Sequence, residues 1–143
     1  LSKASADVIK QMEIFGEKLG IAFQILDDIL DVTSSEGVLG KKPGTDIIER
    51  KPSVVNIFWL ESGDPLAQRL KSAPEEDESK FVSMALSHLP KSSAIEKAKE
   101  LARTYANEAK LALQSATANS KNGNPQAAAD LMTLIEFTLE RVA

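Results

Sequence analysis

The sequence predicts an all-α protein, a bundle of helices around one core, and three observations predict it. Apolar residues fill 43% of the 143 positions, enough for a hydrophobic core in one domain. Aromatics are scarce at 5%, and strand-favouring runs of Val, Ile, Thr and Tyr are nearly absent while Ala and Leu recur. Apolar residues also repeat at three- and four-residue spacing along much of the chain, which is the period of a helix face. The expectation is six or seven helices with short connections, no internal repeat, and residues 1–143 as a single helical domain.

The first helix is read from about Ser5 to Val32, with Val8, Met12, Phe15, Leu19, Ala22, Leu26 and Leu30 on one face. A second row, Ile14, Ile21, Ile25 and Ile29, widens that face until the helix should lie inside the bundle. Gly16 and Gly20 are placed where they could let a neighbouring helix approach closely. Thr33 to Lys51 reads as a loop, broken at Gly37, Gly40 and Pro43-Gly44. Val54 to Glu61 returns to helical spacing through Val55, Phe58 and Trp59. Asp64-Pro65 resembles a cap with a first-turn proline, opening a short helix to about Lys71. Ser72 to Lys80 is acidic and reads as a solvated loop or helix start with no chemistry. Phe81 to Leu89 is an amphipathic helix ended by Pro90, and Ser93-x-x-Glu96 fits a capping box. Behind that box, Ala98, Leu101, Ala102, Tyr105, Ala109, Ala112 and Leu113 form a core stripe. Asn124-Pro125 caps the last helix, which carries Leu131, Leu134, Ile135 and Leu139.

Composition narrows the partners. The net charge is −4 and Lys and Arg form no tract, so nothing supports nucleic-acid binding or a polybasic membrane anchor. Cys is absent, which removes disulfides and thiolate metal sites and suits a cytoplasmic protein. His88, the one histidine, sits in a helical pattern and reads as a surface or packing residue. No apolar run reaches the roughly 18 residues of a membrane span. Leu1-Ser-Lys-Ala-Ser has neither an initiating Met nor the form of a leader, so a fragment or processed chain is expected.

Gln24, Asp27, Asp28 and Asp31 fall at i, i+3, i+4 and i+7 of the first helix, which should bring three carboxylates to one side. On a largely buried helix such anions repel one another and lose hydration unless a cation lies among them. Magnesium fits, because it takes hard oxygen ligands and is commonly held by one or two carboxylates plus substrate phosphates. An EF-hand does not fit, since its ligands alternate along an irregular loop.

Gly20-x-x-Phe23-Gln24-x-x-Asp27-Asp28-x-x-Asp31 resembles the second aspartate-rich motif of the trans-isoprenyl (polyprenyl) diphosphate synthases. Gly40-Lys41-Lys42-Pro43-Gly44-Thr45-Asp46, followed by Lys51, is similar to the loop and downstream lysine of that family. The resemblance implies the C-terminal part of the isoprenoid synthase fold and an enzyme that condenses an allylic diphosphate with isopentenyl diphosphate through magnesium-assisted ionisation. It implies Asp27 as a direct Mg2+ ligand, with Asp28 and Asp31 acting through water or completing the shell. Gln24 would orient the diphosphate, and Lys51 with Lys41 or Lys42 would contact it; counting from Gly40 favours Lys41 and counting back from Asp46 favours Lys42. Arg50 is a weaker candidate. The Lys51-Pro52-Ser53-Val54 junction departs from the Thr-Leu-Pro type of sequence common after that lysine.

The family's first aspartate-rich motif and the contacts that accompany it have no counterpart in this sequence. The expectation is therefore that this chain alone is inactive and needs the missing N-terminal half or a complementary subunit, in a parent that forms a homodimer. A non-catalytic helical subunit descended from the same fold is the alternative. A class I terpene cyclase fragment ranks lower, because the Gly-x-x-Phe-Gln prefix and the Gly-Lys loop are similar to the chain-elongating enzymes.

Overall fold

Helix α1, Ala6–Thr33, is the longest element of a computed structural model that describes residues 4–34, 42–72, 77–120 and 123–141. It opens at Ser5, whose Oγ accepts the Val8 amide at 3.4 Å and whose carbonyl accepts the Ile9 amide at 3.0 Å. Then follow α2 (Thr45–Ile48), α3 (Val54–Glu61), a 3-10 turn (Ala67–Lys71), α4 (Glu78–His88), a second 3-10 turn (Leu89–Lys91), α5 (Ser93–Ala118) and α6 (Pro125–Glu140). There is no strand among the described residues. No helix among them is long and apolar enough to cross a membrane.

The chain divides into two compact units, residues 1–24 with 101–143, and residues 25–100. In the first, Phe15, Leu19 and Ala22 of α1 form one buried cluster with Ala106, Ala109, Ala112 and Leu113 of α5 and Ile135 of α6. The alanines predicted as a core stripe are buried, whereas Leu101 and Tyr105 are only half-buried. Lys18 pairs with Glu108 at 3.1 Å and lies 5.2 Å from the centre of the Tyr105 ring. Asn124 caps α6 as expected, its side chain accepting the Gln126 and Ala127 amides at 3.0 and 3.3 Å, with Pro125 in the first turn.

Gly16 and Gly20 have no helix close by among the described residues, since a Cβ at either would meet nothing within 4 Å. They line a shallow hollow of about 320 Å³ with Leu19, Phe23, Gln24 and Leu134. In α6, Leu134 is 44% exposed while Ile135 and Thr138 are buried. Thr138 turns inward, its hydroxyl donating to the Leu134 carbonyl at 2.9 Å.

In the second unit, Trp59 of α3 and Phe81 of α4 stack with ring centres 6.5 Å apart, both fully buried, and the Arg69 guanidinium lies 4.7 Å from the centre of the Phe81 ring. Asp64 does not cap an α-helix: its Oδ1 accepts the Leu66 amide at 2.8 Å in an Asx turn, and a 3-10 turn follows. Helix α4 starts three residues earlier than the sequence pattern suggests, and Pro90 falls within the 3-10 turn beyond it. Ser93 is already helical, so it is not the cap of a box; Ser92 precedes it and donates its hydroxyl to the Leu89 carbonyl at 2.7 Å. The predicted loop between Thr33 and Lys51 contains the single helical turn α2.

Candidate functional site

The aspartates of α1 do not share one environment. Asp27 is exposed, whereas Asp28 and Asp31 are 5% and 0% exposed. This corrects the expectation that all three carboxylates project together: neighbouring positions differ by about 100° around a helix, and here that angle separates surface from interior. Asp28 Oδ2 accepts the amide of Val54, the first residue of α3, at 2.9 Å. Asp31 Oδ2 accepts the amide of Asp46, inside the first turn of α2, at 3.0 Å. Each buried carboxylate therefore meets the amide end of a short helix, where its charge is favourable. The Gly44 amide donates to the Asp31 carbonyl at 2.7 Å, which adds a backbone tie to the same turn.

Gly44 is required at that tie. Its φ of +80° suits glycine, and a Cβ there would sit 3.2 to 3.3 Å from Val82 and Leu86 of α4. Thr45 donates its hydroxyl to the Lys42 carbonyl at 2.8 Å, and the Lys42 side chain is exposed. Gly37, Gly40 and Lys41 lie outside the described residues.

Lys51 reaches the aspartate helix through Asp46. Its ammonium donates to Asp46 Oδ1 at 3.2 Å, and Asp46 is buried at 4% exposure. Burial pushes the Asp46 carboxyl above its ordinary 3.8; the Lys51 hydrogen bond opposes that, and the charges of Asp31 and Asp28 add to the rise. The hydrogen bond to Asp46 in turn holds Lys51 above 10.5 against its own desolvation, with Asp46, Asp28 and Asp31 all favouring the ammonium form. Lys51 is therefore a fixed cation at neutral pH. The sequence motif contains Asp46 but gave it no role, and its burial is what assigns one.

The turn that presents Lys51 closes α2. The Lys51 amide donates to the Asp46 carbonyl at 2.9 Å and the Arg50 amide to the Ile47 carbonyl at 3.2 Å, with Arg50 itself at φ +50°. This is a left-handed helix stop in which glycine is usual and another residue costs about 1–2 kcal/mol. Asn56 braces the turn, donating from Nδ2 to the carbonyls of Asp46 at 3.0 Å and Lys51 at 2.9 Å. Ser53 caps α3 by accepting the Asn56 amide at 3.3 Å. Ser53, directly before a helical run, carries an ordinary cap signal, whereas Asn56 carries none for its bracing role. Gln24 lies on α1 one turn before Asp28 and belongs to the first compact unit.

No group of three His, Cys, Asp or Glu side chains among the described residues is arranged to hold a metal ion by itself. That still fits magnesium, which needs only one or two protein carboxylates when phosphates complete its shell. The donor set is hard oxygen throughout, and exposed Asp27 is the carboxylate of the motif turned to the surface. Asp28 and Asp31 each commit an oxygen to a backbone amide and support the motif from behind.

The pattern of the family described as polyprenyl synthetase matches residues 1–89. The chain is 34% identical over 141 residues to solanesyl diphosphate synthase 2, chloroplastic, of Arabidopsis thaliana, covering 99% of this chain and 32% of that protein. It is 32% identical over 142 residues to a prenyl transferase of Synechocystis, covering 99% of this chain and 42% of that one. A solved structure, the apo form of an Arabidopsis medium/long-chain length prenyl pyrophosphate synthase, superposes with a TM-score of 0.73 at 30% identity, over 97% of this chain and 46% of that one. The chain thus spans less than half the length of each of these relatives.

Proposed function

The chain belongs to the polyprenyl synthetase family, with its all-α isoprenoid synthase fold, and on that premise we propose that it supplies one side of a prenyl-transfer site. The substrates are an allylic diphosphate and isopentenyl diphosphate. The chain carries the C-terminal part of the synthetase domain, with its second aspartate motif, and acts only with the first motif opposite it, in the rest of the same protein or in a companion subunit. A homodimer in an aqueous compartment, the cytoplasm or the chloroplast named for some relatives, completes the reading.

The observation that supports this most directly is the chain of contacts from Lys51 through Asp46 to Asp31, which ties a loop cation to the aspartate helix. When the allylic carbon–oxygen bond breaks, the electron pair leaves with the diphosphate, and the new negative charge must be absorbed. Lys51, held in place by its hydrogen bond to Asp46, is a preorganised cation for that charge. Asp27 would hold Mg2+, with Asp28 and Asp31 behind it, and the bound ion would supply Lewis-acid neutralisation of the diphosphate. Gln24 would orient the diphosphate, and Lys42 or Lys41 would share its charge. The allylic cation is then attacked by the double bond of isopentenyl diphosphate, and loss of a proton restores the alkene.

The test supplies the intact protein and Mg2+ with an allylic diphosphate, with and without isopentenyl diphosphate. Elongated product should form only with both substrates, and the 143-residue chain alone should form almost none. A cyclised product from the allylic diphosphate alone would overturn the elongation reading.

A further inference from the structure

The Arg50 side chain makes contacts that a diphosphate-binding arginine would not need. Nη1 and Nη2 donate to the two oxygens of Glu78, both at 3.0 Å, and Nε donates to the Ser72 carbonyl at 2.6 Å. Nη1 also reaches the Ile48 carbonyl at 3.4 Å. The pair is largely enclosed, with the Arg50 side chain 17% exposed and Glu78 22%. Forked pairing of this kind fixes direction as well as charge.

We infer that Arg50 is a positioning residue for Lys51: the Arg50–Glu78 fork holds the left-handed turn at the end of α2 and so sets where the Lys51 ammonium stands beside Asp46. Three observations converge on this. Arg50 occupies a backbone conformation, φ +50°, that a residue with a side chain resists. Its side chain spends every guanidinium nitrogen on residues at 48, 72 and 78, so it faces α4 and its approach. The next residue along the chain is Lys51, whose amide closes the turn on Asp46 and whose ammonium binds the carboxylate of the same residue. A turn stabilised only by backbone bonds could relax out of the left-handed region and swing Lys51 away. The fork removes that option by tying the turn to the first residue of α4. Asn56 bounds the turn from the other side, so the lysine is delivered between two fixed contacts.

The inference rests on Lys51 being a diphosphate cation, and the experiment separates the two ideas. Hydrogen–deuterium exchange is followed in peptides spanning residues 46–53 of the intact protein, in the parent, Glu78→Gln, Arg50→Gly and the double variant. Binding of inorganic pyrophosphate with Mg2+ is measured in the same set and in Lys51→Gln. Glu78→Gln should speed exchange in that segment by about tenfold, the order expected when the constraint on a left-handed non-glycine residue is lost. Arg50→Gly in the Glu78→Gln background should restore slow exchange, because glycine takes the left-handed turn without a clamp. Pyrophosphate affinity should fall and recover in step, whereas Lys51→Gln lowers it in every background. Exchange unaffected by Glu78→Gln, or a double variant as loose as Glu78→Gln, overturns the inference. So does unchanged affinity in Glu78→Gln while Lys51→Gln binds weakly. Should Glu78→Gln fail to fold, Arg50→Gly alone decides: exchange at least as slow as in the parent upholds the turn geometry, and faster exchange overturns it. If Lys51→Gln leaves pyrophosphate binding intact, the reading of Lys51 is at fault, and the exchange result still judges the clamp.

Discussion

The two compact units keep different things out of water. Residues 4–24 and 101–141 bury Phe, Leu, Ile and a row of alanines, with Thr138 as the one buried polar residue described there. Residues 25–100 bury Asp28, Asp31, Asp46, Ser53 and Asn56 as well as an apolar core. The first unit is held by periodic contact between long helices, which tolerates changes that conserve volume. The second has helices as short as four residues, whose ends need particular oxygen and nitrogen partners. A buried polar network specifies one arrangement and is costly when one member is lost. The charged residues of the proposed chemistry, Asp27, Lys42 and Lys51, belong to the unit built that way.

Substitutions can break this contrast, and the largest effect should come from the apolar unit. Ile135→Ala removes a fully buried side chain from the cluster with Phe15, Leu19 and Leu113. A loss of about 2–5 kcal/mol in unfolding by denaturant is expected. Prenyl transfer in the folded fraction should be little altered; a large drop in turnover there would blur the division of labour. Asp27→Ala should do the reverse. It should cut turnover of the intact protein about a hundredfold or more, as loss of preorganised charge stabilisation does. Because Asp27 is exposed, stability should move by no more than about 0.5 kcal/mol. An unchanged rate would remove Asp27 from the site.

Asp31 sharpens the comparison from inside the polar unit. Asp31→Ala strands the Asp46 amide, which now donates to Asp31 Oδ2 at 3.0 Å, and should lower stability by about 1–3 kcal/mol. Asp31→Asn keeps an acceptor oxygen and should lose less. If the two variants proved equally stable, the carboxylate would not be holding α2 through that hydrogen bond.

How far the sequence revealed each unit follows from the same physics. The alanine stripe from Ala98 to Leu113 was legible because burial repeats with the helix period, and Asn124-Pro125 because a cap is a local bond. The aspartate motif was legible as residue types but not as geometry. Asp27 and Asp28 are adjacent in sequence, and only the packing of α1 decides that one is exposed and the other buried. Helix α2 was hidden inside a Gly, Pro and Lys-rich stretch, since four residues carry no readable period. The Arg50–Glu78 fork joins positions 28 residues apart through an acidic stretch that reads as solvated, and nothing local announces it. Gly16 and Gly20 carry a weaker signal: a glycine's missing side chain permits a close approach without requiring it, and none is made among the described residues.

The smallest expected effect concerns Asp64, where polar anchoring can be tested away from the proposed chemistry. Asp64 Oδ2 accepts Trp59 Nε1 at 2.8 Å and His88 Nε2 at 2.9 Å, while Oδ1 accepts the Leu66 amide at 2.8 Å. Burial alone would raise its carboxyl, but the Trp59 and Leu66 hydrogen bonds, with the charge and hydrogen bond of His88, outweigh it and hold Asp64 below the ordinary 3.8. A carboxylate whose folded value is depressed stabilises the fold above its unfolded value, and that contribution fades as pH falls through the folded one. Asp64→Asn should therefore cost roughly 1 kcal/mol at neutral pH, in the range of an ordinary intramolecular hydrogen bond, because Asn keeps an acceptor oxygen. The gap between parent and variant should close as pH falls below 3.8. His88 is 60% exposed, so its ion pair adds little in water, and His88→Gln should change stability by less than about 0.5 kcal/mol. Denaturant unfolding followed by Trp59 fluorescence checks both variants across that pH range. A gap independent of pH, or a His88→Gln loss as large as that of Asp64→Asn, would mean that the indole and backbone bonds are not what the Asp64 charge serves.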